Sequence, residues 1–148
     1  MSAHDPGLSH HPAPQRGVTS RRELAFALFA GPLAWFVQLN TGYGLIATAC
    51  YPGPDRNIAL PPDAHWTWVL TAILYLVCLA IALLSGVVAL RLLRRVRDEG
   101  VGSSAPLEET GRGRTRFLAY WGVILGFGFA SVVFVNGLAL LMVDPCAQ

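Results

Sequence analysis

Three uncharged segments constrain the fold of this chain more than any other feature. Leu24–Cys50, Trp66–Leu90 and Phe117–Val143 contain no Asp, Glu, Lys, Arg or His. Each is longer than the ~20 residues that a helix needs to cross ~30 Å of hydrocarbon. The residues outside these segments are too few to build a soluble core around them. We therefore predict an all-α fold, an integral membrane bundle of three transmembrane helices.

The composition agrees with this prediction. Apolar residues make up 53% of the 148 residues and charged residues only 14%, whereas soluble proteins average about 45–50% and about 25%. The predicted organisation is a disordered cytoplasmic tail (1–20), transmembrane helix 1 (21–50), an outer loop (51–65), transmembrane helix 2 (66–90), an Arg-rich cytoplasmic loop (91–116), transmembrane helix 3 (117–143) and an outer tail (144–148).

The distribution of arginine predicts the orientation. All eleven basic residues are Arg, and ten of them precede the first segment or lie between the second and third. Arg56 alone lies in the loop between the first and second. Short loops rich in Arg stay in the cytoplasm, so we expect the N-terminus inside and the C-terminus outside. The use of Arg without Lys is typical of a GC-rich genome and favours a bacterial source. Together with the three spans, it predicts a multi-pass protein of a bacterial inner membrane.

Two cysteines close two of the apolar segments. Cys50 ends the first and Cys146 follows the third, so the predicted topology places both at the outer, oxidising surface, where disulfides form. We expect a Cys50–Cys146 disulfide and a free Cys78 within the second span. Two alternatives stay open, namely unpaired thiols or a metal site built from Cys50, His65 and Cys146, because thiolate and imidazole suit copper or zinc.

Polar side chains within the spans predict contacts between helices. Gln38, Asn40 and Tyr43 lie in the first span and Asn136 in the third. Polar groups in hydrocarbon mostly face other helices. Asn40 and Asn136 each lie ten residues before the cysteine that ends their segment, so they are expected at equal depth and can form an amide pair. A quinone, a haem edge or a partner subunit is the alternative contact for these groups.

Small residues recur every four positions in the third span, at Gly122, Gly126 and Ala130, and in the second span, at Ala82 and Gly86. Such patterns allow helix backbones to approach closely. The faces serve either packing within this chain or docking of another membrane subunit. The second option predicts that Gly126→Leu releases the chain from a larger membrane complex.

The spans contain no deep ionisable group, which argues against a proton relay or an ion-coupled transporter. Two deep histidines for a buried haem are also absent from the sequence of the spans. We expect no catalytic residues, no cofactor and no nucleic-acid partner. The expected partners are the lipid bilayer and other membrane subunits.

The run Phe29–Pro54 carries Gly31, Pro32, Trp35, Tyr43 and Cys50. In these positions it resembles the first helix of small, uncharacterised bacterial three-helix membrane proteins found beside terminal cytochrome oxidase genes. The resemblance implies a role in respiration. The function expected from the sequence is that of a non-catalytic accessory or assembly subunit of an inner-membrane complex, with a respiratory oxidase as the candidate complex. The alternative is a metal or redox handler at the periplasmic face.

Overall fold

A computed structural model describes residues 20–53, 59–101, 110–144 and 146. It contains three long helices, α1 (Arg21–Cys50), α2 (His65–Val101) and α3 (Thr110–Met142), with a 3-10 turn at Pro62–Ala64 before α2. Within the described residues there is no strand, so the predicted all-α fold is confirmed. The predicted tail at 1–19, the loop centres at 54–58 and 102–109, and residues 145, 147 and 148 lie outside the described part.

All three helices are long and apolar enough to cross a membrane. Two of them extend well beyond the predicted spans 66–90 and 117–143, because α2 continues to Val101 and α3 begins at Thr110. Helix therefore covers much of the segment 91–116 that the sequence analysis treated as a loop. The extension of α2 has a local cause, since Leu and Arg, which dominate the sequence after Ala89, are good helix formers.

The three helices pack against one another in every pairing. Cys50 at the end of α1 lies against Cys146, just beyond the end of α3. Near the opposite ends, Gly122 of α3 lies against Ala27 of α1 and Ala89 of α2. These contacts make α1 and α3 parallel, with α2 antiparallel to both.

Small side chains fill the interior of the bundle. One buried cluster contains Ala27, Ala89, Leu92 and Ala119, and a second contains Ala34, Cys78 and Val133. Large apolar side chains instead point outward, among them Phe29, Leu76 and Leu141, each 67% exposed. Small residues inside and large apolar residues outside are typical of helix bundles surrounded by lipid.

The two ends of the bundle differ in charge. One end of the bundle contains the starts of α1 and α3 and the C-terminal part of α2. The exposed arginines lie at this end, namely Arg21, Arg22, Arg91, Arg94, Arg95 and Arg116. The opposite end carries the cysteine pair, exposed Trp66 and exposed Asp144. We call these the arginine end and the cysteine end.

Candidate functional site

The cysteine pair closes one end of the bundle. The Sγ atoms of Cys50 and Cys146 lie 2.04 Å apart and their Cα atoms 5.4 Å apart, which is compatible with the predicted disulfide. Both cysteines are buried, each 2% exposed. The Cys146 backbone N–H also donates to Asp144 Oδ1 at 3.0 Å. Cys78 is a buried free thiol in α2.

The proposed metal set of Cys50, His65 and Cys146 is not brought together. The two sulfur atoms bond to each other, so neither is a thiolate available to a metal. His65 lines a separate cavity, with Trp68 and Asp144. Across the described residues, no three His, Cys, Asp or Glu side chains group as metal ligands. The interpretation of these three residues as a metal site therefore has no structural basis.

A cavity of about 360 Å³ lies between α1 and α3, directly beside the cysteine pair. Its walls combine apolar and polar side chains. The apolar wall includes Leu39, Ile46 and Leu140. The polar groups belong to Tyr43, Tyr51, Tyr75 and Asn136. We refer to this space as the tyrosine cavity.

Tyr75 of α2 reaches the tyrosine cavity by crossing between two glycines. A Cβ atom on Gly42 of α1 would lie 2.9 Å from Tyr75 Cε1 and 3.4 Å from its hydroxyl oxygen. A Cβ atom on Gly137 of α3 would lie 3.7 Å from Tyr75 Cδ2. The missing side chain of Gly42 thus makes room for the ring, whereas a Cβ atom on Gly137 would make only an ordinary contact. Tyr75 is not among the residues predicted for a site, although it is the only tyrosine of the second apolar segment.

Asn136 and Tyr43 both line the tyrosine cavity. Asn136 is half-buried, and Tyr43 is exposed at the rim. The amide pair predicted between Asn136 and Asn40 does not form. Asn40 is exposed, and its Nδ2 donates to the Phe36 carbonyl oxygen of its own helix at 2.8 Å. The prediction was based on the equal depth of the two residues in the membrane, but depth does not determine the direction in which each side chain points.

Gln38 has the opposite environment from Asn40. It is 0% exposed, and neither its Nε2 nor its Oε1 has a hydrogen-bond partner in the protein. Gln38 thus lies buried within the bundle, without a hydrogen bond to a neighbouring helix. An unpaired buried amide costs free energy, which makes Gln38 an unusual feature of the interior.

The small residues of α3 pack inside this chain. A Cβ atom on Gly126 would lie 2.5 Å from both the Cα and N atoms of Gly86. A Cβ atom on Gly122 would lie 3.0 Å from Ala89 Cβ, and Ala130 is buried at 3% exposure. The helices of the chain itself occupy this face. It is therefore not available to another subunit, and Gly126→Leu cannot be interpreted as a probe of docking.

The chain matches no protein-family model, no curated protein and no solved structure. The resemblance of the first span to oxidase-associated proteins stays a hypothesis.

Proposed function

We propose that the chain is a non-catalytic accessory or assembly subunit of a complex in a bacterial inner membrane. It crosses the membrane three times, with the arginine end in the cytoplasm and the cysteine end outside. The positive-inside rule supports this orientation, since the described arginines collect at one end of the bundle. The resemblance of Phe29–Pro54 makes a respiratory oxidase the first complex to test.

One observation carries the proposal: an exposed amide lies within an apolar helix. Asn40 is exposed on α1, inside the uncharged segment Leu24–Cys50. Its Nδ2 bonds one carbonyl of its own helix, while the amide has a further N–H and an acceptor oxygen to satisfy. In hydrocarbon such a group favours contact with a polar group of another helix.

The residues around Asn40 form a continuous exposed seam. Phe29, Leu33 and Phe36 are all exposed, and with Asn40 they follow the alternating four- and three-residue spacing of a coiled-coil seam. We call these four residues the α1 outer face. The partner that fits this face is a transmembrane helix with an apolar surface and one polar side chain level with Asn40.

The experiment is affinity purification of the tagged chain from native membranes in a mild detergent, followed by native gel electrophoresis. We expect wild-type protein to migrate within a larger complex. Asn40→Leu should insert normally but lose its co-purifying membrane proteins, because it removes the amide and preserves apolar volume.

Ser131→Leu is the matched control. Ser131 is also exposed and hydrogen-bonds its own helix, at Phe127 O, but it lies on α3. This variant should keep the complex. Wild-type protein that migrates alone would refute the proposal, and equal loss in both variants would refute the role of the α1 outer face.

A further inference from the structure

We propose that the tyrosine cavity binds the neutral head group of an isoprenoid quinone. The inference requires the membrane insertion proposed above. It does not require association with other subunits, because every residue that it uses belongs to this chain.

The cavity has the size and depth of a head-group site. Its volume of about 360 Å³ falls within the ~300–1,000 Å³ typical of small-molecule pockets. Asn136 lies six residues before Met142, where α3 ends, which is about 9 Å along the helix axis at 1.5 Å per residue. The cavity therefore lies just inside the cysteine end, where ring head groups of membrane lipids can reach it from the bilayer.

The wall contains hydrogen-bond donors, which require acceptors on the ligand. Among the lining residues, Tyr43 and Tyr75 carry hydroxyl groups and Asn136 carries a carboxamide. A plain hydrocarbon chain in this space would leave these groups unpaired, at a cost in free energy. The ligand therefore carries polar atoms that accept hydrogen bonds.

The wall also indicates a neutral ligand. Among the described residues that line the tyrosine cavity, none is Arg, Lys, His, Asp or Glu. A phosphate head group or a metal ion would be buried there without a compensating charge. Phospholipids and cations are therefore disfavoured.

A quinone satisfies these conditions together. Its ring is neutral and flat, it carries two carbonyl acceptors, and its tail is apolar. Tyr75 packs between Gly42 and Gly137 and lines the cavity, where an aromatic side chain favours contact with a flat quinone ring. Ile46 and Leu140 provide apolar contacts for the start of the tail.

The test is a binding titration of purified protein in phosphatidylcholine nanodiscs with a short-tailed ubiquinone analogue, measured by calorimetry. We expect saturable binding of one quinone per chain by wild-type protein. Tyr75→Phe removes only the hydroxyl oxygen and should weaken binding several-fold. Asn136→Leu should weaken it by about tenfold, the effect of one well-formed hydrogen bond.

Ser131→Leu is the control, since Ser131 is an exposed polar residue of α3 that does not line the cavity; this variant should bind quinone like wild-type protein. Thermal melting of each variant shows whether it remains folded. If Asn136→Leu does not fold, Tyr75→Phe still tests the inference. Absence of saturable binding by wild-type protein would overturn the inference. The inference would also be overturned if both cavity variants bound quinone as wild-type protein does. It would likewise be overturned if an equal concentration of diacylglycerol abolished quinone binding. Because the nanodisc holds one purified chain, these outcomes are independent of subunit association.

Discussion

Gly126 of α3 lies against the backbone of Gly86 of α2, so closely that a Cβ atom on Gly126 would approach the Gly86 Cα and N atoms to 2.5 Å. The same atom would lie 2.9 Å from Ser85 Oγ. Gly31 of α1 reaches this point as well, since its own Cβ would lie 3.3 Å from Gly126 Cα. All three helices thus meet at one crossing, where only hydrogen atoms separate the backbones.

Gly126→Ala should therefore destabilise the bundle by at least about 1–3 kcal/mol, as overpacking of a filled core does. The obstacle is backbone rather than a flexible side chain, so a rotamer change cannot relieve it. The free energy of unfolding in mixed detergent micelles measures the effect.

Gly128→Ala is the matched control for that variant. It lies two residues away on α3, and an added Cβ would meet no atom within 4 Å. Its stability should stay within ~1 kcal/mol of wild type, given the small difference in helix propensity. Equal destabilisation of both variants would contradict the crossing geometry.

Loss of the disulfide should destabilise the fold. Cys50 and Cys146 are separated by 96 positions in the sequence, and closing a loop of this size contributes up to ~4–5 kcal/mol in chain-entropy terms. Cys146→Ser should lower the melting temperature of purified protein, and a reductant should lower that of wild type. Cys78→Ala should respond to reductant as wild type does. Full alkylation of Cys50 without prior reduction would show that the bond does not form in the cell.

The proposed orientation predicts the result of reporter fusions. Fusions after Gly100, beyond the arginines Arg91, Arg94 and Arg95, should be active only with a cytoplasmic reporter. Fusions after Gln148 should be active only with a periplasmic reporter, because the positive-inside rule keeps the arginine end in the cytoplasm. Fluorescent-protein and alkaline-phosphatase fusions at both positions make the measurement. The reverse pattern at either position would contradict the topology.

Gln38→Met should raise stability. The Gln38 amide is buried without a protein partner, and an unsatisfied buried polar group costs about 1–3 kcal/mol. Methionine has a similar shape and removes both polar atoms. The free energy of unfolding should therefore increase by up to that amount.

Thr71→Val provides the comparison for Gln38. Thr71 is also 0% exposed, but its hydroxyl donates to Thr67 O at 2.7 Å. This variant should show no comparable gain. A Gln38→Met protein less stable than wild type would show that the amide has a partner in the folded protein.

The three helices could be predicted from the sequence by itself, because the length of an apolar segment and its lack of charge determine whether it can span hydrocarbon. The pairing of Cys50 with Cys146 could also be expected from sequence, because it follows from topology alone. Two parallel helices that each end near a cysteine bring those cysteines to the same surface.

Which face of each helix turns inward was decided only by the tertiary structure. These helices are apolar on every side, so no amphipathic stripe indicates the buried face. Gln38 and Asn40 are two residues apart and chemically similar, yet the first is buried and the second exposed. Tyr75 reaches the tyrosine cavity because Gly42, on another helix, leaves space for its ring. That space depends on how the three backbones cross, and the crossing is a property of the assembled bundle rather than of any one segment.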